Sequence, residues 1–168
     1  MMTLIKYRVV LLLLAIVSCT SSCMAQDAVV NESITQHYDR LLKGKVGDSI
    51  ANIILDAKSV EIMCDSVSKK LTANEIAIAQ YIVADTCNLS DGYAVDGLFY
   101  NYLSFKFVTK KKSITICYDF VLDKMRIYSA EGKELAERDI KSELPLTRFG
   151  LLAFPDNKYL KQFNTGKK

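Results

Sequence analysis

Three consecutive stretches between Leu98 and Tyr128 alternate apolar and polar residues, and this pattern constrains the fold more than any other feature of the chain. Successive side chains of a β-strand point to opposite faces of the sheet, so such alternation is typical of strands with one buried face. The stretches therefore predict an antiparallel meander sheet of three to four strands. Its core face consists of Leu103, Phe105 and Phe107, then Ile114, Ile116, Tyr118, Phe120 and Leu122, then Met125 and Ile127.

The two turns of this meander must keep the apolar sets on one face, which requires loops of even length. A two-residue turn at Asp123–Lys124 satisfies this condition, although Asp-Lys is not a favoured turn pair and a longer loop stays open. For the first hairpin a four-residue connection over Lys110–Ser113 is favoured, because a tight turn would need positive φ at two lysines. The basic run Lys110–Lys112 is thus predicted to be a solvated turn.

The region before the meander shows helical spacing followed by a strand pattern. A first helix is predicted over Glu32–Lys43, where apolar residues recur at helical spacing, with Gly44 as its stop. A second, short helix is expected to begin with Asp48 or Ser49 as its cap. The apolar period then switches to two over Ser59–Cys64, which predicts a strand.

A capping box at Thr72–Glu75 indicates the start of a third helix over about Ala73–Val83. A last helix is predicted over Leu146–Phe154, which has a proline on either side. Together these elements predict a single α+β domain over residues 32–160, with helices packed on one face of the sheet. A frayed tail is expected at residues 161–168.

The N-terminus carries a basic start, an uncharged apolar run over Val9–Val17 and small residues behind it, the three-part layout of a secretory signal peptide. The run is too short to span a bilayer, which takes roughly 20 apolar residues. We therefore expect residues 1–18 to be removed and residues 19–31 to form a flexible tether. The alternative, a buried helix of a cytosolic domain, is disfavoured by the terminal position and the basic flank.

The segment Ile16–Cys19, with the sequence Ile-Val-Ser-Cys, resembles the lipobox of bacterial lipoproteins, in which an aliphatic residue and two smaller or uncharged ones precede a cysteine that becomes acylated. The resemblance covers the N-terminus only. It implies that Cys19 becomes a lipid-carrying N-terminus that anchors the protein in the cell envelope. A competing cleavage after Ala25, where Cys23–Ala25 has small residues at the required positions, would release a soluble periplasmic or secreted protein.

The charge of the chain argues against nucleic acid as a partner. The formal charge is +3, and removal of Lys6 and Arg8 with the leader lowers it to +1. Duplex binding is driven by a concentrated positive field, whereas the charges here are interspersed. The expected partners are therefore the membrane, through lipid on Cys19, and an envelope protein or glycan.

The cysteines of the expected domain are Cys64, Cys87 and Cys117. Export to an oxidising compartment predicts one disulfide among them, with the pairing open, while buried free thiols are the alternative. No metal site is predicted, because zinc takes four closely spaced Cys or His ligands and His37 is the only histidine. No cofactor is expected either.

The sequence contains no nucleophile elbow, zinc-protease motif, phosphate loop or dinucleotide fingerprint. We therefore predict a non-catalytic binding module and assign no catalytic residue. One enzymatic alternative stays open, a small exported thiol-dependent enzyme that pairs His37 with a cysteine. It needs the two side chains to be close only in space.

The opposite face of the meander is the candidate binding surface. Tyrosine and arginine offer large contact areas with polar tips, and such residues dominate recognition surfaces. The same residue types also form ordinary cross-strand pairs on a half-exposed sheet, and Asp119 lies diagonal to Arg126 in the predicted register. The predicted ligand contacts are Tyr100, Tyr102, Lys106, Arg126 and Tyr128.

Overall fold

A seven-stranded antiparallel sheet lies at the centre of the computed structural model, which describes residues 42–85, 89–90 and 97–165. Along the sheet the strands follow the order β2-β1-β4-β5-β6-β7-β3. Their bounds are β1 (Ser59–Cys64), β2 (Val67–Lys70), β3 (Leu89–Ser90), β4 (Leu103–Val108), β5 (Ser113–Asp119), β6 (Lys124–Ser129) and β7 (Glu134–Ile140). The helices are α1 (Asp48–Asp56), α2 (Ala73–Ala84), α3 (Leu144–Ala153) and α4 (Lys158–Phe163).

One hydrophobic core joins the helices to the predicted core face of the sheet. Side chains of β1, β4, β5 and β6 alternate between this core and the other face, as the apolar pattern predicted. Each helix contributes buried residues to the same core, among them Ile54, Ala79, Phe149 and Leu160. The described residues belong to one compact unit, which confirms a single α+β domain.

The prediction of three to four strands is wrong, because β2, β3 and β7 lack the alternation that indicates a strand. β2 lies at the sheet edge, and its residues are mostly exposed. In β7 an arginine, Arg138, lies opposite the core residue Met125. Its Nε donates a hydrogen bond to the carbonyl of Lys45 at 2.7 Å, so a charged residue takes a position where an alternating strand would have an apolar one.

Both hairpins keep the predicted faces but shift in register. In the second, Tyr118 pairs with Met125, and a four-residue loop over Phe120–Asp123 replaces the predicted two-residue turn. Asp123 has a φ of 55°, in the left-handed region. The first loop is Thr109–Lys112, four residues long but one position earlier than predicted. Because both loops contain an even number of residues, the apolar sets stay on one side.

The helix starts differ in how well the sequence predicted them. The capping box of α2 is confirmed, since Glu75 donates its amide to Thr72 Oγ1 at 3.4 Å and accepts from the Thr72 amide at 2.8 Å. The expected stop at Gly44 is wrong, because residues 42–46 are helical. Gly47, with a φ of 86°, is the N-cap of α1 in place of Asp48 or Ser49, because its positive φ breaks the chain direction there.

The C-terminal part holds two helices where one was predicted. Helix α3 begins at Leu144, two residues before the expected start. The side chain of Asn157 then caps α4 by accepting hydrogen bonds from the amides of Tyr159 and Leu160. The tail predicted from residue 161 is wrong at its start, because Phe163 packs against Tyr102 with ring centroids 5.2 Å apart.

Candidate functional site

The structure separates Tyr102 from three of the other predicted contact residues. Lys106, Arg126 and Tyr128 occupy the face opposite the core, as predicted. Tyr102 does not, because it lies before β4 and its ring stacks on that of Phe120 at 6.1 Å on the core side. The prediction placed Tyr102 by extending the alternation beyond the strand that carries it.

Arg126 is held by protein partners on the opposite face. Its Nε lies 2.6 Å from Glu137 Oε2, and its guanidinium lies 4.6 Å from the centre of the Phe99 ring. Glu137 also binds the ammonium of buried Lys124 at 2.9 Å. The hydrogen bond with Glu137 raises the pKa of Arg126, and the one from Lys124 is the main cause of the lowered pKa of Glu137. These contacts make Arg126 a structural cross-link between β6 and β7.

Asp119 is a fully buried carboxylate at the end of β5. Its Oδ2 accepts a hydrogen bond from the amide of Tyr100 at 2.7 Å, and its Oδ1 accepts from the amides of Val121 and Leu122 at 2.8 and 3.0 Å. One side chain thus holds the segment before β4 against the loop after β5. It is not the partner of Arg126 that its diagonal position suggested.

The segments held by Asp119 present a surface of aromatic and aliphatic groups. Tyr100 is 59% exposed and Val121 62% exposed. Tyr159 of α4 is 38% exposed and lies 5.9 Å from Tyr102, ring centroid to ring centroid. Lys158 lies over the Tyr159 ring at 5.0 Å. We call Tyr100, Tyr102, Val121 and Tyr159 the tyrosine surface.

Burial has the largest effect on the hydroxyl of Tyr102. Burial is the main cause that raises the pKa of Tyr102, and the charges of Asp119, Tyr100 and Tyr159 raise it further. The raised pKa keeps the Tyr102 phenol protonated at neutral pH, so its hydroxyl can both donate and accept a hydrogen bond. Tyr159 was missed by the sequence reasoning because no alternation or motif connects α4 to the meander.

The described cysteines are buried free thiols. Cys64 belongs to the core and its Sγ donates to the carbonyl of Tyr102 at 3.1 Å, whereas Cys117 lies on the opposite face. The pairing of these two cysteines, one of the possible predicted disulfides, is therefore wrong. Burial raises the pKa of each thiol to about 11, which disfavours the thiolate that a nucleophile needs. Cys87 and His37 lie outside the described residues.

Within residues 42–85, 89–90 and 97–165, no three His, Cys, Asp or Glu side chains come together as metal ligands would. In the same ranges, no helix combines the length and the hydropathy that crossing a membrane requires. Cys19 and the leader lie outside the described residues, so the lipid anchor stays a prediction.

The described part of the chain is an α+β module whose tyrosine surface is its best-defined candidate binding region. No family model, no curated protein and no solved structure matches the chain.

Proposed function

We propose that the protein is an exported, non-catalytic module that binds a partner of the cell envelope through the tyrosine surface and is anchored by lipid on Cys19. Between the two predicted partner classes, protein and glycan, we favour a protein. The exposed Val121, whose amide binds the same Asp119 carboxylate as the amide of Tyr100, offers an aliphatic contact that suits apolar side chains of a partner. The observation that carries the proposal is the exposure of these two residues on backbone that a buried carboxylate holds in place.

Preorganisation supports a binding role for this surface. The three hydrogen bonds of Asp119 fix the backbone that presents Tyr100 and Val121, so little conformational entropy is lost when a partner binds. Tyr102 is already packed against Phe163 and Phe120, and it supports the exposed ring of Tyr159. Tyrosines on a rigid base provide contact area at low entropic cost, as in recognition loops.

The residues of the opposite face have a smaller part in this proposal than the sequence suggested. Arg126 is engaged by Glu137 and Phe99, so binding a ligand would require breaking those contacts. Lys106 is exposed and Tyr128 partly exposed, and both lie across the sheet from the helices. We assign them no contact with the partner of the tyrosine surface.

Site-specific photo-crosslinking tests the proposal. A photoreactive phenylalanine analogue is placed at Tyr100 of the full chain in its host, and in a second variant at Tyr81, an exposed tyrosine of α2. We expect Tyr100 to give a defined protein adduct that the Tyr81 variant lacks. The double change Tyr159→Ser and Val121→Ser should weaken capture of that protein by the purified chain at least tenfold.

Three results would count against it. Identical adducts from Tyr100 and Tyr81 would show no preference for the tyrosine surface. An adduct with polysaccharide in place of protein would show that the partner is a glycan. Full capture by the Tyr159→Ser, Val121→Ser variant, with a melting curve like that of the wild type, would reject this surface.

A further inference from the structure

The four-residue loop Thr109–Lys112 holds three consecutive lysines in a fixed turn. The Thr109 amide and hydroxyl both donate to the Lys112 carbonyl at 2.9 Å. In return, the Thr109 hydroxyl accepts from the amides of Lys112 at 3.0 Å and Lys111 at 3.3 Å. The prediction of a turn is therefore confirmed. These hydrogen bonds hold its backbone in place, which a solvated run of lysines does not need.

This loop forms a wall of two neighbouring cavities of about 400 and 600 Å³. Both are also lined by Ser49 and Ile53 of α1. The first cavity is completed by Asn52, Asp56 and Lys58, so four lysines face a single carboxylate there. We call the group Ser49, Asn52, Lys58 and Thr109–Lys112 the lysine cleft.

The lysines of this cleft form no ion pair among the described residues, although Asp56 lines the first cavity and Glu131 the second. Lys69, Lys124 and Lys161 each form an ion pair, with Glu75, Glu137 and Asp156 respectively. No such pair involves Lys58 or Lys110–Lys112 within the described part of the chain. Like charges within one Debye length, about 8–10 Å, repel each other, and a bound anion would relieve this repulsion.

We propose that the lysine cleft binds a phosphate-bearing ligand. Lysine is a point-charge phosphate binder, and several ammonium groups can share the oxygens of one phosphate. Ser49 and Asn52 add neutral hydrogen-bond donors from α1, whose first turn has no side-chain cap. The volume of either cavity lies within the range of small-molecule sites. The inference does not depend on the tyrosine surface.

The phosphate has two possible sources, a soluble phosphorylated compound and the headgroup of a phospholipid. For the first, inorganic pyrophosphate is titrated into the isotope-labelled full chain at constant ionic strength, and amide shifts are followed by NMR. We expect saturable shifts at Ser49 and Thr109–Lys112. The double change Lys111→Gln and Lys112→Gln should weaken this binding at least tenfold. Each of the two lysines contributes about equally to the electrostatic attraction of a bound anion, and the double change removes both contributions.

For the second source, the same proteins are sedimented with vesicles of phosphatidylcholine alone or mixed with phosphatidylglycerol. The N-terminus is identical in all variants, so the excess bound to the anionic vesicles isolates the effect of the lysines. The matched control is Lys70→Gln with Lys141→Gln, two exposed lysines that line neither cavity.

Pyrophosphate saturation identifies a soluble ligand, and excess vesicle binding without saturation identifies a headgroup. Either result supports the proposal only when the Lys111→Gln, Lys112→Gln variant loses the effect and the control retains it. Equal losses of binding in both variants would show that binding depends on net charge alone, and this would overturn the proposed site. The absence of both effects in the wild-type chain would overturn it as well.

Discussion

Asp119 is the residue on which the shape of the tyrosine surface depends most directly. Its carboxylate is buried and accepts three backbone amides from two segments. We expect Asp119→Ala to lower the free energy of unfolding by about 3 kcal/mol, because one amide without its acceptor costs about 1–3 kcal/mol. Urea unfolding followed by circular dichroism measures this change.

The control for this substitution is Asp156→Ala. Asp156 is fully exposed and forms a loose ion pair with Lys161 at 3.6 Å, so we expect a change of at most about 0.5 kcal/mol. Similar losses in the two variants would mean that Asp119 does not hold the two segments together.

Glu137 makes the stability of the domain depend on pH. Its pKa is lowered, first by the hydrogen bond from Lys124 and then by Arg126, against the opposing effect of burial. A carboxylate with a depressed folded pKa stabilises the fold above its unfolded pKa of about 4.3, and this contribution is lost as pH falls through the folded value. We expect wild-type stability to decline below about pH 4 and Glu137→Gln to show a smaller decline.

Chemical unfolding at a series of pH values compares the two slopes. The matched control is Glu134→Gln, since Glu134 is more exposed and lies 3.8 Å from Arg126. This control should keep the acid decline of the wild type. Parallel curves for wild type and Glu137→Gln would show that other carboxylates cause the acid sensitivity.

At the scale of elements, α4 closes the aromatic end of the core. Phe163 packs against the rings of Tyr102 and Phe120, with centroids 5.2 and 5.5 Å apart. Phe163→Ala should cost about 2 kcal/mol of unfolding free energy, less than for a fully buried phenylalanine because this ring is partly exposed. Thermal and urea unfolding measure the loss.

The comparison for Phe163 is Leu152→Ala, in a leucine of α3 that is 76% exposed. That change should stay within about 0.5 kcal/mol of the wild type. If Phe163→Ala were equally mild, α4 would be a loosely attached tail, as the sequence originally suggested.

The elements that the sequence predicted correctly have either an apolar pattern that reflects a buried face or a local start signal. β4, β5 and β6 alternate because one face meets the helices, and α2 begins at a capping box that is local in sequence. β2 was missed because an edge strand needs no apolar face. β7 was missed because Arg138 interrupts its apolar pattern, with its Nε bonded to the carbonyl of Lys45. α4 was missed because its few apolar residues are too short a series to show a period.

At the scale of the molecule, the candidate site joins residues that are distant in the chain. Tyr100 and Tyr102 were predicted to be contacts, but Val121 and Tyr159 were not. The alternation that placed Tyr102 on the far face ends where β4 begins, and its true position depends on contacts with α4. Sequence patterns predict faces within a strand, whereas neighbours beyond its end depend on tertiary packing.

The two proposed sites lie at opposite ends of one strand. β5 begins after the lysine loop and ends at Asp119, which corresponds to a separation of roughly 20 Å at the usual rise per residue. A strand in the middle of a seven-stranded sheet is a rigid spacer. A ligand in the lysine cleft would therefore leave the tyrosine surface free for a partner.

The location of the molecule determines which ligands either site can meet. If Cys19 is acylated, the domain stands at a membrane, and more than one acyl chain makes that attachment stable. We expect intact-mass analysis of the protein from its host to show a chain that starts at Cys19 and carries a diacyl or triacyl mass. A chain that starts at Gln26 would indicate a soluble exported protein, and the full-length chain with its initiator methionine would contradict export altogether.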